Sequence, residues 1–441
     1  MSKSKAKRPE DWELVSIADT AREEHGSFID GDWVEARWIG EGDIRLIQTG
    51  NVGIGKFENK PNNMKFISRS GFDQLNCKSV YAGDILICRL ADPIGRACLV
   101  PKSVEPCITA VDCTIFRPDP KKLNPNFAIH LLNFEDTLRR ANDVAGGTTR
   151  QRISRSNLGL LELVVPPDPD EQRRIAEILD TADEAIQKTE ALIAKLKQMK
   201  AGLLHDLLTR GIDKNGELRD HSLLTNKTLF GFFPECWDLV PLESILTTVT
   251  SGSRGWAQYY SVEGAKFIRI GNLTREHVNL RFDDVRYVTP PLGTEGIRTA
   301  VECGDLLISV TADIGIIGVV PPKIGEAYVN QHISLVKLDK SDVDPLWVGN
   351  YLANGMGQKQ FIQFNDSGAK AGMNLTGVKS LLVAKPKLNE QREIVRRIAS
   401  FESRISKETN VRKKLQKLKA GLMHDLLTGN KRVNVAEPVT A

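Results

Sequence analysis

The sequence predicts a mixed α/β (α+β) protein in which two diverged α/β domains alternate with two long, nearly identical helices. Three observations carry that expectation. The chain repeats itself at an offset of roughly 220 residues, an apolar stripe at helical spacing runs late in each copy, and short strand-like runs cut by Gly and Pro fill the earlier part of each copy. At 441 residues the chain has room for two to four domains of ordinary size.

The repeat is tightest in the helical part. Glu171–Ile175 (EQRRI) recurs as Glu390–Ile394 (EQREI), and Lys200–Thr209 (KAGLLHDLLT) recurs as Lys419–Thr428 (KAGLMHDLLT), both 219 residues on. The second match differs only at Leu204 against Met423. Upstream, only landmarks remain: PEDWELV at Pro9–Val15 and PECWDLV at Pro234–Val240, GDIL at Gly83–Leu86 and GDLL at Gly304–Leu307, IGRACLVP at Ile94–Pro101 and IGIIGVVP at Ile314–Pro321. The offset falls from 225 to 219 along the repeat, so the first copy carries about six more residues, all before its helix. One part does the same job twice, and the other does two jobs on one scaffold.

Taken in order, residues 1–165 form the first domain, with strand-like runs at Ile44–Thr49, Asp84–Arg89 and Thr114–Arg117 and a helical stretch at Phe127–Asn142. The first long helix occupies 166–212. It follows Pro166, Pro167 and Pro169, ends near Gly211, and places Ile175, Leu179, Ala182, Ile186, Ile193, Leu196, Met199, Leu203 and Leu207 at coiled-coil steps. The steps from Leu196 through Met199 and Leu203 to Leu207 leave the heptad and predict a local change of supercoil. A polar linker, 213–229, leads to the second domain, 230–385, with strands at Lys266–Gly271, Asp305–Val310 and Ile333–Val336 and a helical stretch at Leu346–Asn365. The second long helix, 386–430, follows Pro386 and carries Ile394, Ile398, Phe401, Ile405, Leu415, Leu418, Leu422 and Leu426 before Gly429; the tail, 431–441, reads as disordered. A rod of ~38 residues is ~57 Å long and needs a partner for its stripe, and its own copy is the nearest one.

Composition narrows the function classes. The chain is 41% hydrophobic and 26% charged, and no run approaches the ~18 apolar residues of a membrane span. Met1–Glu10 lacks the apolar stretch of a signal peptide. Seven cysteines show no CxxC pair and no Cys/His cluster, Cys107 and Cys113 being the nearest together, which predicts reduced thiols, a cytoplasmic protein and no metal site. There is no phosphate loop, HExxH or GxSxG motif. His205–Asp206 and His424–Asp425 are adjacent on a helix, hence ~100° apart, and read as helix-end polar pairs rather than acid/base machinery. No catalytic residue is predicted.

The net charge of +4 permits a polyanionic partner only where basic residues cluster, and they do. Arg139–Arg155 surrounds a Gly-Gly turn with arginines and with Thr148, Thr149 and Gln151; Lys359–Asn374 supplies Lys359, Gln360, Gln363, Asn365, Lys370 and Asn374 at the corresponding place; Ser251–Tyr260 adds Arg254, Gln258 and Tyr259 in a Gly/Ser loop. Arginine and lysine grip phosphates or read guanine, whereas Asn and Gln pair with adenine. A lone basic loop is ordinarily solvated surface, but similar placement in both copies points toward nucleic acid.

Two diverged domains, each followed by a Pro-then-Glu-Gln-Arg-x-Ile helix start and a KAGLLHDLLT or KAGLMHDLLT helix end, resemble the specificity subunits of type I restriction–modification systems over nearly the whole chain. WELVSI and WDLVPL, and IQTGN and IRIGN, fit that family's target recognition domains. The resemblance implies a non-catalytic subunit whose two domains each read half of a bipartite double-stranded DNA target, held apart by the two helices as an antiparallel coiled-coil spacer with pseudo-two-fold symmetry. It implies two modification subunits and restriction subunits as partners, with S-adenosylmethionine, ATP and Mg bound by those partners and no cofactor on this chain. The expected DNA-binding residues are Gln48, Thr49, Asn51, Arg89, Thr148, Thr149, Arg150, Gln151 and Arg152 in the first domain, and Arg254, Gln258, Tyr259, Arg269, Asn272, Lys370 and Asn374 in the second. Gln172, Arg173, Gln391 and Arg392, expected to be exposed at the helix starts, are the partner-binding candidates. Two other classes are a self-contained DNA methyltransferase, which needs a cofactor pocket and an Asn-Pro-Pro-Tyr/Phe-like loop that Val165–Pro167 (VPP) does not supply, and a non-DNA scaffold binding two proteins.

Overall fold

The computed structural model describes residues 9–228, 231–290, 293–362 and 372–434. It falls into two compact units, Met1–Glu190 with Asn410–Ala441, and Ala191–Thr409. Each long helix, Pro169–Thr209 and Leu388–Leu427, is therefore shared between them.

The first unit is built on an antiparallel four-stranded sheet in the order Phe28–Asp30, Cys113–Phe116, Ile85–Cys88, Ala97–Leu99. A three-stranded sheet lies beside it in sequence, with Ile44–Ile47 between antiparallel Lys65–Ile67 and parallel Cys107–Thr109. Strand Ile85–Cys88 is buried throughout because alternate residues serve two cores: Ile85 and Ile87 join Phe127, Leu131 and Ile175, whereas Leu86 and Cys88 join Ile47, Cys98 and Ile115. Glu13–Ser16 pairs with Glu162–Val165 and ties the start of the domain to its end.

The second unit repeats the plan. Leu246–Ser251, Ile333–Leu338, Leu306–Ser309 and Ile317–Val319 form the antiparallel sheet, and Leu306 and Ile308 again face a different core from Leu307. Its second sheet has four strands, Tyr260–Ser261, Arg286–Val288, Ala265–Ile268 and Ala327–Val329, the last pair parallel. Asp238–Pro241 pairs with Leu382–Lys385 as the counterpart of the end-to-end ribbon.

The expected helical stretch Phe127–Asn142 is two helices, Pro125–Leu132 and Glu135–Asp143. The break falls at Asn133, whose amide leaves the helix pattern to bond both the N–H and the carbonyl of Ala97. Likewise Leu346–Asn365 begins as Pro345–Ala353 and Gly355–Lys359, and its last residues, 363–365, lie outside the described residues.

The two long helices run antiparallel within each unit. In the first, Asp183 accepts from Lys419 at 2.6 Å, and Ile175, Ala176 and Leu179 pack with Leu426 and Leu427. In the second, Lys200 donates to Glu402 at 2.6 Å, and Leu207 and Leu208 share a core with Ile394, Val395 and Ile398. Met199 and Leu418 are corrections to the expected stripe: they are 49% and 56% exposed. Leaving Met199 out removes the irregular step that suggested a supercoil change. Gly211 and Gly429 follow the helices at φ 64° and 72°, the left-handed C-terminal cap that only glycine adopts readily.

Two segments are better ordered than their composition suggests. In the linker, Arg219 binds both carboxylate oxygens of Glu390. In the tail, residues 431–434 are fixed, with Arg432 forming two 2.7 Å bonds to Glu171, an ion pair to Asp11 and a cation–π contact with Trp12. Residues 435–441 lie outside the described residues.

Candidate nucleic-acid interface

In the first unit the sequence-predicted residues split into a buried frame and an exposed loop set. The turn Thr49–Asn51 follows strand Ile44–Ile47, and Asn51 pins it: Oδ1 accepts from Gln48 N–H at 2.9 Å and Nδ2 donates to the Glu58 carbonyl at 2.9 Å. The loop after helix Glu135–Asp143 closes on itself through paired backbone bonds between Gly146 and Arg152, with Gly147 at φ 102°, and Arg152 also bridges to Leu90. Thr49, Leu90, Ala91, Thr148, Thr149, Arg150 and Gln151 thereby line one open cleft of about 380 Å³. Thr148–Gln151 are exposed, Thr49 is half-buried, Gln48, also half-buried, precedes it in the chain, and Arg152 is held by Asp112 at 3.0 Å. The cleft offers amides, hydroxyls and a guanidinium, the groups that meet base edges and phosphates.

Asn51 and Arg89 do not belong to that exposed set. Asn51 is 7% exposed and spends its amide on the turn. Arg89 is 3% exposed, donates to the carbonyls of Val111 and Ile153, and pairs with Asp30 at 3.2 Å. Burial pulls its guanidinium below arginine's usual value, with Asp30 acting in the opposite direction.

The second unit places the same loops with other side chains. Asn272 is the counterpart of Asn51: 2% exposed, accepting from Arg269 N–H at 2.9 Å and donating to the carbonyls of Arg281 and Asp284. It too is a turn-holder. Arg269 is half-buried, and its guanidinium binds Asp284. Asn374 is the N-cap of helix Leu375–Lys379 and accepts from Gly377 N–H at 2.8 Å, as Ser154 caps Arg155–Gly159 in the first unit. Its side-chain oxygen is thus used locally rather than free to read adenine. Lys370 lies outside the described residues.

Arg254 and Gln258 are exposed on a segment anchored by Trp256, which is 2% exposed and packs on Phe267, Tyr328 and Tyr259 with ring centroids 5.3–6.2 Å apart. Below it, Glu326 accepts from the Tyr328 hydroxyl and pushes that phenol up to about 12. Three residues that the sequence does not single out, Thr311, Gln331 and His332, come together in the second unit. His332 stands where the first copy has Asp112, bonds Thr311 at 2.6 Å and lies 3.2 Å from the Gln331 amide, while Thr311 bridges to Gly372 as Leu90 bridges to Arg152. Only the one-to-one match of the two copies through Ile94–Pro101 and Ile314–Pro321 could have pointed to them.

At the helix starts, Gln172 and Gln391 are 1% and 0% exposed, which corrects their assignment as docking residues. Each donates to the carbonyl of a proline before its helix, Pro166 or Pro386, and accepts from the backbone N–H of a helix cap, Asn124 at 2.7 Å or Asp344 at 2.8 Å. The neighbouring glutamates are clasps: Glu171 holds Arg432, and Glu390 holds Arg219, the indole N–H of Trp237 and the N–H of Ile212. The signal was in the spacing, since Glu171 and Gln172 lie four and three residues before Ile175, on its face. Arg173 and Arg392 are exposed, and Arg173 pairs along its own helix with Asp170 and Glu177.

No helix among the described residues is long and apolar enough to cross a membrane. A family model described as the type I restriction modification DNA specificity domain matches residues 9–198 and 292–417. The chain is 26% identical over 358 residues to the putative type I restriction enzyme MjaX specificity subunit of Methanocaldococcus jannaschii, covering 80% of this chain and 79% of that protein. It is 24% identical over 298 residues to the EcoBI specificity subunit of Escherichia coli, covering 66% of this chain and 62% of that protein. The crystal structure of a type I restriction–modification S subunit from M. genitalium superimposes with a TM-score of 0.57 at 16% identity, over 96% of this chain and 98% of that one, and so shares the fold. With the family model matching most of its length, the chain belongs to the type I restriction–modification DNA specificity family and is a DNA-specificity subunit without catalytic activity of its own.

Proposed function

We propose that each unit reads one half of a bipartite duplex target with its own loop set. In the first unit these are the turn at Gln48 and Thr49, the segment at Leu90 and Ala91, and the tip Thr148–Arg152. In the second they are the Arg254–Tyr259 segment with Thr311, Gln331 and His332. The observation that supports this most is a contrast between frame and loops. Asn51 and Asn272 hold the same turn in both copies, while the side chains presented around it differ. A shared frame with different presented groups is what two different base sequences require. Selecting bound duplexes from a library randomised in both half-sites tests the reading. Arg254→Ala with Gln258→Ala should relax base preference in one half only.

The long helices recruit the modification subunits, one per copy of the repeated helix end. Met199, Gly202 and His205 on the first helix recur as Leu418, Gly421 and His424 on the second, all exposed. Among the described residues, and apart from the helix's own backbone, nothing lies within 4 Å of where a side chain at Gly202 or Gly421 would stand. A mid-helix glycine costs roughly 1 kcal/mol against alanine, and here nothing among the described residues requires it; close approach of a partner does. Gly202→Leu or Gly421→Leu should raise helix stability while removing one modification subunit from the purified complex. Full stoichiometry in both variants contradicts this assignment. S-adenosylmethionine, ATP and Mg belong to the partner subunits in this reading, and this chain binds none of them.

A further inference from the structure

Arg96 reaches none of the exposed loop groups, yet it joins two of the loops that carry them. Its side chain is nine-tenths buried. Nε donates to the Val52 carbonyl at 2.7 Å, one terminal nitrogen to the Leu90 and Pro93 carbonyls at 2.9 Å each, and the other to the Thr49 carbonyl at 3.0 Å. Val52 and Thr49 belong to the turn pinned by Asn51, and Leu90 and Pro93 to the segment after strand Ile85–Cys88. Thr49 and Leu90 both line the cleft. One planar group therefore sets the separation of two cleft walls. Among the described residues it has no carboxylate ion pair, so its charge is met by carbonyl dipoles alone.

Such an arrangement needs a fork of rigid N–H donors, which lysine, with three donors on one atom, does not supply. The second copy does without it. Ile316 occupies the equivalent place in IGIIGVVP, and the corresponding segment is held by Ser309, whose hydroxyl accepts from Ile316 N–H at 2.7 Å and donates to the Asp313 carbonyl at 2.5 Å. Arg89, a buried arginine directly after strand Ile85–Cys88, ties Val111 to Ile153 but has Asp30 as partner, and its counterpart is Val310.

Resting on the reading that this cleft faces one half-site, we infer that Arg96 is a positioning residue for sequence choice. It holds the Thr49 turn and the Leu90–Pro93 segment in register beneath the Thr148–Gln151 tip and contacts no base itself. The test uses the assembled modification complex and competitive binding to duplexes with single-base changes in either half-site, at several salt concentrations. Arg96→Met should flatten preference in one half-site by about tenfold or more, leave the other half-site at its wild-type preference, and leave the salt slope unchanged. Arg96→Lys should give the same pattern at smaller size. Loss of preference in both halves, or a salt slope lower by about one unit as for a phosphate contact, overturns the positioning role. If Arg96→Met does not assemble, Arg96→Lys carries the test, because it keeps the charge and removes only the fork; wild-type preference in it overturns the proposal. Gln151→Ala separates the two layers. If it relaxes a half-site while the Arg96 variants do not, the positioning role fails alone, and if none of them does, the reading of the cleft fails with it.

Discussion

The two units use one backbone plan and fasten it by different chemistry. In the first, guanidinium groups do the work: Arg89 and Arg96 tie loops together, and Arg117 forms a two-bond pair with Asp84 at 2.7 and 2.8 Å. In the second, the same three places hold Val310, Ile316 and Lys337, and Asp305, the counterpart of Asp84, has Lys337 only at 3.6 Å. What stays constant is the set of groups that fix chain direction: Asn51 and Asn272 in the turn, Gln172 and Gln391 at the helix starts, Glu171 and Glu390 as clasps. Landmarks shared between the copies mark backbone-holding sites, and the differences gather where side chains face outward or brace a loop.

The sharpest way to strain that comparison is at the clasps. Glu390 lies in a largely enclosed site and holds four donors, from Arg219, Trp237 and Ile212, so Glu390→Ala should cost the second unit about 3–5 kcal/mol, as when a buried pair is broken from one side. Glu171→Ala should cost the first unit less, about 1–3 kcal/mol, because the Arg432 side chain is 45% exposed and can recover water. Chemical unfolding of the full chain measures both, and equal costs would show that exposure does not separate the two clasps.

Next comes the acidic landmark of GDIL and GDLL. Asp84→Ala strands Arg117 and should cost about 2–4 kcal/mol. Asp305→Asn should stay within about 1 kcal/mol of wild type, since one carboxylate oxygen of Asp305 is buried without a hydrogen bond. Burial holds the Asp305 carboxyl above its usual value. A raised folded-state value means that ionising the group opposes folding. Stability of the second unit should therefore fall as pH rises through the range just above 3.8, and Asp305→Asn should remove that component of the pH profile. Smallest is the turn: Asn51→Ala and Asn272→Ala should each cost about 1–2 kcal/mol and weaken DNA binding by the half-site concerned.

Much of the fold was legible because duplication supplied an internal control. Offsets of matching landmarks marked the repeat, and strands such as Ile85–Cys88 and Leu306–Ser309 fell inside the predicted runs. The roles of polar residues were less legible. Residue type alone points Arg89, Asn51, Asn272, Gln172 and Gln391 toward surface reading or docking, and all five are buried. A polar side chain can face solvent or satisfy backbone groups inside, and residue type does not distinguish the two; for Gln172, expected to be exposed, the spacing to Ile175 that places it on the apolar face was the signal left unused. Thr311, Gln331 and His332 carry no motif at all. They come together only through the pairing of strand ends.

In the proposed division of labour, each unit reads its own half of the target. The direct measurement is selection of duplexes, randomised in both half-sites, by complexes carrying Arg150→Ala with Gln151→Ala in the first unit or Arg254→Ala with Gln258→Ala in the second. Each pair should relax base preference in one half-site and not the other, with the two pairs acting on opposite halves, at about 1–3 kcal/mol for each base-reading side chain removed. Relaxation of both halves by either pair, or of the same half by both, would contradict it.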